Sequence, residues 1–180
     1  MINRETFFQK VRVHPFGGTM SQGQVDGCNA ILDAWEPSTA DIRWLAYMLA
    51  TAKWETAHTM KPIEEYGHGA GHPYGEPDPE TGQTYYGRGY VQLTWKANYE
   101  KLGGILGVDL LHDPALALDP DVASRVMFKG MEEGLFTGVG LPRYFNPSTN
   151  DPINARRIIN GTDHAAEIAN IHNAFLAALI

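Results

Sequence analysis

The sequence predicts a mainly α fold with one loop-rich insertion, and three observations carry that expectation. Residues 41–58, "DIRWLAYMLATAKWETAH", are apolar almost all the way round, as in a helix buried at the centre of a domain. Residues 66–84, "YGHGAGHPYGEPDPETGQT", hold too many Gly and Pro residues for a helix and read as a long loop or small hairpin. The later segments return to helical spacing, ending in "DHAAEIANIHNAFLAALI".

The elements follow in order. Residues 3–12 predict a short helix broken by "FGGTM". Ser21 is placed to cap a second helix running to about Trp35. After the "EPST" turn, Thr39 or Asp41 caps the central helix, expected over about 40–59. Beyond the loop, "TYYGRGYVQLT" brings β-type residues around a Gly-Arg-Gly turn, and a helix is expected from about Val91 to the glycines near 103. "LDPDVASRVMFKGMEEGLF" predicts another, with Gly130 as a candidate break, and "DPINARRIIN" begins a further one. Neither internal repeats nor linkers divide the chain, so residues 1–180 are expected to form a single domain.

Composition narrows the function. The chain has 180 residues, 43% of them hydrophobic, enough for a sizeable core. The net charge of −7 argues against general attraction to nucleic acid or to anionic membranes, and no apolar run is long enough to span a bilayer. Cys28 is the only cysteine, so no intrachain disulfide forms; its apolar helical setting predicts a buried thiol without catalytic work. The opening "MINRETFFQKVRVHPFGG" lacks the apolar core of a signal peptide. A soluble monomer made in the cytoplasm, reaching any external substrate only after release, is therefore expected.

The chemistry centres on "KWETAHTMKPIEEYG", residues 53–67. Three readings fit it. WETAH resembles a zinc-protease helix whose first histidine is replaced by Trp54; Glu55 and His58 alone supply too few ligands, and His68 and His72 lie in an undiagnostic loop, so neither metal nor cofactor is expected. A hydrolase needs two carboxyls in different settings: Glu55, at the end of a buried helix, suits a proton donor in an apolar pocket, while Glu64 or Glu65, beyond Pro62, suits a wetter carboxylate that holds water. In the third reading Glu55 is a buried acid paired with an arginine and the other two glutamates are solvated.

Residues 85–99, "YYGRGYVQLTWKANY", tip the balance. Two tyrosines, Gly-Arg-Gly, Gln-Leu-Thr and Asn-Tyr at this spacing resemble the family 19 glycoside hydrolases, chitinases and phage endolysins on a lysozyme-like fold. "RRIINGT", residues 156–162, resembles that family's later Ile-Asn-Gly segment. The resemblance runs over roughly residues 40–165 and leaves residues 1–35 unexplained. It implies a lysozyme-like helical fold with the loop-rich insertion beside a cleft. It implies Glu55 as general acid, Glu64, with Glu65 as the alternative, as second carboxylate, and Thr94 as a hydroxyl that helps hold the attacking water. Tyr86, Gln92, Asn98 and Asn160 are expected to contact sugar, and Arg88 to do so or to steady the second carboxylate. Trp95 is expected in the core.

The implied reaction is inverting hydrolysis of β-1,4 bonds between N-acetylated sugars, with the two carboxyls about 6.5–9.5 Å apart. Peptidoglycan, as for an endolysin or lysozyme of a phage or its bacterial host, is the expected polymer, and chitin the alternative. A non-catalytic glycan-binding or phage structural module is the reading from a different class.

Overall fold

The computed structural model describes residues 2–36 and 38–180. Its fold is mainly α, as expected, with seven α-helices and two minimal hairpins among the described residues. Among the described residues, no helix is long and apolar enough to cross a membrane.

The N-terminal half follows its capping residues. Helix α1 (Arg4–Val13) starts at Asn3, whose side chain accepts from Thr6 N. Helix α2 (Gln22–Trp35) starts in a reciprocal capping box between Ser21 and Gln24. Helix α3 (Ile42–Glu55) starts at Asp41 rather than Thr39, and every residue from Leu45 to Lys53 is buried. Helix α7 (Ala165–Leu179) lies along α3 and also packs on α1, while α2 packs on helix α5 (Pro120–Glu133). The buried apolar side chains of these helices join in one continuous core. Cys28 sits in it, and burial pushes its thiol up to about 12, leaving no thiolate for chemistry at neutral pH.

Helix α3 ends at Glu55, short of the residue 59 expected from its pattern. The stop uses neither Gly nor Pro. Ala57 and His58 take positive φ values of 49° and 67°, and the Thr56 hydroxyl donates to Ala52 O and accepts from Met60 N. Helix α2 crosses this turn closely: a Cβ on Gly27 would come within 1.8 Å of Met60 O. The chain then enters strand β1 (Ile63–Glu64), which pairs antiparallel with β2 (Arg88–Gly89). The small hairpin beside the cleft is therefore present, with the long loop forming its connection.

Helix α4 (Lys96–Leu106) begins later than Val91, because residues 90–95 fold back on the hairpin through reciprocal backbone bonds between Arg88 and Leu93. Helix α5 runs unbroken through Gly130, whose missing side chain makes room for the Phe136 ring. A short helix α6 (Leu141–Tyr144) and a hairpin of β3 (Phe145–Asn146) and β4 (Thr149–Asn150) follow, neither foreseen from the sequence. The helix expected from 151 is only a 3₁₀ turn, Asn154–Ile158.

One buried polar group marks the α3–α7 contact. His172 is fully buried, its ring 5.7 Å from Tyr47 and 5.1 Å from Phe145, and neither ring nitrogen has a hydrogen-bond partner. Burial, reinforced by the nearby Arg43 charge, pushes its pKa down from 6.5 to about 4. The native state thus holds the neutral ring, whereas the unfolded chain takes up a proton near pH 6.5. This contribution to stability is complete above pH 6.5 and is lost as pH falls toward 4, amounting to ~3 kcal/mol at the acid end. Urea unfolding at pH 7.5 and 4.5 checks it: His172→Phe should lose less stability than wild type between the two pH values, by ~2–3 kcal/mol. Equal acid losses in both proteins would remove His172 from the account.

Candidate active site

Glu55 is the last residue of α3, and its side chain is 17% exposed. It does not sit in the expected apolar pocket. Arg156, from the 3₁₀ turn 154–158, donates from Nη1 to Glu55 Oε1 at 2.5 Å, and the arginine side chain is only 6% exposed. Arg156 Nε donates in turn to Asp163 O. A carboxylate at the end of a buried helix requires such a partner. Glu55 Oε2 has no protein hydrogen-bond partner among the described residues. The pairing of a shielded acid with an arginine therefore holds, while the solvated setting expected with it for Glu64 and Glu65 does not.

Glu64, the last residue of β1, and Glu65, just beyond it, meet different partners. Glu64 is 37% exposed. Its Oε1 accepts from Tyr86 Oη at 2.8 Å and lies 3.5 Å from Arg88 Nε, an ion-pair contact longer than a hydrogen bond. Its Oε2 lies 3.5 Å from His68 Nε2. The His68 and Tyr86 rings stack, and the Arg88 guanidinium covers the Tyr86 ring at 3.7 Å. Burial first, and then the bond to the Glu64 carboxylate, push the Tyr86 phenol up, so it remains a donor to Glu64. Glu65 instead ties the loop down. Its Oε2 accepts from Gly87 N at 3.0 Å, its Oε1 accepts from Tyr74 Oη at 3.3 Å, and its own N donates to Gly87 O.

Arg88, expected to touch sugar or to steady the second acid, is buried. It donates to Thr84 O and Tyr99 Oη and supports Glu64 and Tyr86 from beneath. Its burial removes it from the sugar-contacting group.

Four other expected residues come together. Gln92, Thr94, Asn98 and Asn160 line one cavity of about 280 Å³, walled by Trp95 and Phe136. Thr94 Oγ1 donates to Gln92 O at 2.8 Å and keeps lone pairs free to accept. Asn98 Nδ2 donates to Thr94 O. Gln92 Nε2 donates to Ile63 O, the residue before Glu64. The same 3₁₀ turn that places Arg156 on Glu55 leads directly to Asn160 on the cavity wall. The cavity is thus tied to one carboxylate through Gln92 and β1, and to the other through residues 156–160.

Two residues were missed. Arg156 lies in the quoted "RRIINGT" segment, but an ion pair spanning 101 positions leaves no local pattern to find. Trp95, expected in the core, is 50% exposed and borders the cavity. Its φ of 76° is rare for a bulky residue and turns the indole out of the helix it precedes.

WETAH does not assemble as a metal motif. His58 Nδ1 faces Lys53 Nζ at 2.8 Å, Glu55 faces Arg156, and no group of three or more His, Cys, Asp or Glu is placed to hold a metal among the described residues. What the arrangement offers is two carboxyls in different polar settings, each connected through bonded neighbours to a cavity lined by hydroxyl and amide groups.

Comparison with known proteins fits this geometry. Residues 60–134 match the family model of chitinase class I, glycoside hydrolase family 19. Glu64, Thr94 and the 85–99 motif lie inside the match; Glu55 and Asn160 lie outside it. Endochitinase 1 of Theobroma cacao is 40% identical over 86 residues, covering 47% of this chain and 24% of that protein. Inactive chitinase-like protein 2 of Hevea brasiliensis is 30% identical over 174 residues, covering 90% of this chain and 44% of that protein. The chain thus spans less than half the length of these relatives. Chitinase C from Streptomyces griseus shares the fold, with a TM-score of 0.65 at 22% identity over 99% of this chain and 76% of that one. The resemblance to the family 19 glycoside hydrolases is therefore shown in sequence over residues 60–134, and nearly the whole chain shares the fold of a solved chitinase.

Proposed function

We propose that this protein hydrolyses β-1,4 bonds between N-acetylated sugars with inversion, and that chitin-type oligosaccharides are its substrate. The observation that carries the reading is the pair of carboxyls in unlike settings: Glu55 held through one oxygen by Arg156, and Glu64 held by Tyr86 over a buried Arg88. The endochitinases among the relatives favour chitin over the peptidoglycan first expected.

In this mechanism Glu55 gives a proton to the glycosidic oxygen from Oε2, the oxygen that Arg156 leaves free. Arg156 fixes the orientation of the carboxyl. A water on the opposite face attacks the anomeric carbon as the bond to the leaving oxygen breaks, and Glu64 takes the water's proton. Thr94 Oγ1 is available to accept from that water, and Gln92, Asn98 and Asn160 bind the acetamido and hydroxyl groups of the sugar.

Glu64 is the second carboxylate rather than Glu65, because both Glu65 oxygens already accept from the loop. A second reading, a glycan-binding module without turnover, is favoured by the Hevea brasiliensis protein, whose name describes it as inactive.

Glu55→Gln should abolish cleavage of chitin oligosaccharides while leaving the fold and oligosaccharide binding intact. Glycan binding without cleavage in the wild-type protein would establish the binding-module reading instead. Parallel digestion of purified peptidoglycan, with reducing-end analysis, ranks the two polymers.

The adjacent glutamates should separate cleanly. Glu64→Gln should lower kcat by about 10²–10⁴, the usual worth of a positioned acid or base. Glu65→Gln keeps an acceptor for Gly87 N, so it should lower kcat only a few-fold and show mainly as a small loss of thermal stability. Equal losses of kcat from the two variants would undo the assignment.

A further inference from the structure

Two histidines of the 66–84 loop stand in matching positions. His68 stacks on Tyr86 with ring centroids 4.9 Å apart and planes 15° from parallel. His72 stacks on Tyr74, also at 4.9 Å, with planes 6° from parallel. Each tyrosine donates its hydroxyl to one of the two adjacent glutamates, Tyr86 to Glu64 and Tyr74 to Glu65. The two assemblies differ in one contact. His68 Nε2 reaches back to the glutamate itself, 3.5 Å from Glu64 Oε2, whereas His72 makes no ion pair among the described residues.

The loop backbone puts His68 there. Gly67, His68 and Gly69 all take positive φ values, 86°, 51° and 73°. Such a conformation is costly for a histidine and persists only where neighbours enforce it. Here His68 N donates to Glu65 O, Ala70 N to Gly67 O and His72 N to Gly69 O, a chain of tight turns. A Cβ on Gly69 would come within 2.8 Å of Gly75 Cα, so the loop packs against itself at this point. The imidazole is thereby brought back to Glu64, four positions earlier.

The two oxygens of Glu64 are held unequally. Oε1 accepts from Tyr86 Oη at 2.8 Å and lies 3.5 Å from Arg88 Nε. Oε2 accepts no hydrogen bond from the protein among the described residues, and its charged neighbour is His68. A carboxylate held through one oxygen still turns about its last carbon–carbon bond, a torsion with a broad minimum. A second contact on the other oxygen restricts that freedom, and a base that must meet one water in one orientation needs the restriction.

We infer that His68 is a positioning residue for the second carboxylate: with Tyr86 on Oε1, it fixes Oε2, the oxygen left to take the water's proton. The inference rests on the proposed hydrolase activity. Contacts of this length in an unliganded site commonly tighten when substrate binds. Oε2 keeps a second lone pair for the incoming proton.

Steady-state kinetics on chito-oligosaccharides test this, with His72 as the internal control. The His68 side chain is 62% exposed, so its variants should fold as the wild type does. His68→Asn should lower kcat about fivefold, the upper range for an exposed charge pair, and leave KM unchanged. His68→Gln, whose amide N–H can reach the same oxygen, should recover most of the loss. His72→Asn should leave both constants at wild-type values. A residue that only steadied the loop would act independently of Glu64, whereas a positioning residue acts through it. In the Glu64→Gln background His68→Asn should therefore cost nothing further, and in the Glu65→Gln background it should cost its full factor. Wild-type kcat in His68→Asn, an equal loss in His72→Asn, or an undiminished loss on top of Glu64→Gln overturns the positioning role and spares the hydrolase reading. No cleavage of any oligosaccharide by the wild-type protein overturns both.

Discussion

The ion pair between Glu55 and Arg156 joins the end of the central helix to a 3₁₀ turn 101 positions further along the chain. The arrangement of the site depends on this contact. Helix α3 is buried for most of its length, so a carboxylate at its end is shielded on several sides by protein. Removing one partner from such a pair typically costs about 3–5 kcal/mol, whereas the intact pair adds little net stability. The pair is better understood as a positioning device. It holds residues 156–160 against the helix end, which brings Asn160 to the same cavity as Gln92, Thr94 and Asn98.

Glu64 is positioned by other means. It stands on a two-residue strand, directly opposite Arg88 in register. Arg88 is buried, so its charge acts on Glu64 and on the Tyr86 ring rather than on solvent. The adjacent Glu65 fastens the loop through Gly87 and Tyr74. Glu65 thus serves the fold, while Glu64 stays half-exposed on Tyr86, Arg88 and His68.

Helix bodies and caps were largely legible in the sequence, because they depend on local pattern. The box formed by Ser21 with Gln24 and the cap at Asp41 behave as their residue types dictate. Ends and turns were less legible. Helix α3 stops on Ala57 and His58, residues that carry no stop signal, because the Thr56 hydroxyl bridges the last turn to Met60. Residues 91–95 look like a helix start, yet they fold back because Leu93 pairs with the backbone of Arg88. Gln92, Thr94 and Asn98 were found because the 85–99 motif keeps them close in sequence, and Asn160 because residues 156–162 carry a resemblance of their own. Arg156 was not, because its partner is distant and nothing in its own segment marks the bond.

That reversed turn also explains why Trp95 left the core. Gln92 and Trp95 both take positive φ values, 54° and 76°, each costing about 1–3 kcal/mol in a non-glycine residue. Four contacts hold the strain in place. Arg88 and Leu93 exchange backbone bonds, Tyr85 O accepts from Trp95 N, and Gln92 Nε2 donates to Ile63 O. A relaxed backbone would have let the helix begin at Val91 and would have returned the indole to the interior. Instead the turn presents Gln92 and Thr94 to the cavity and leaves the indole half-exposed at its border. The strained turn, over-determined by its neighbours, holds Gln92, Thr94 and Trp95 in a fixed arrangement on the cavity wall.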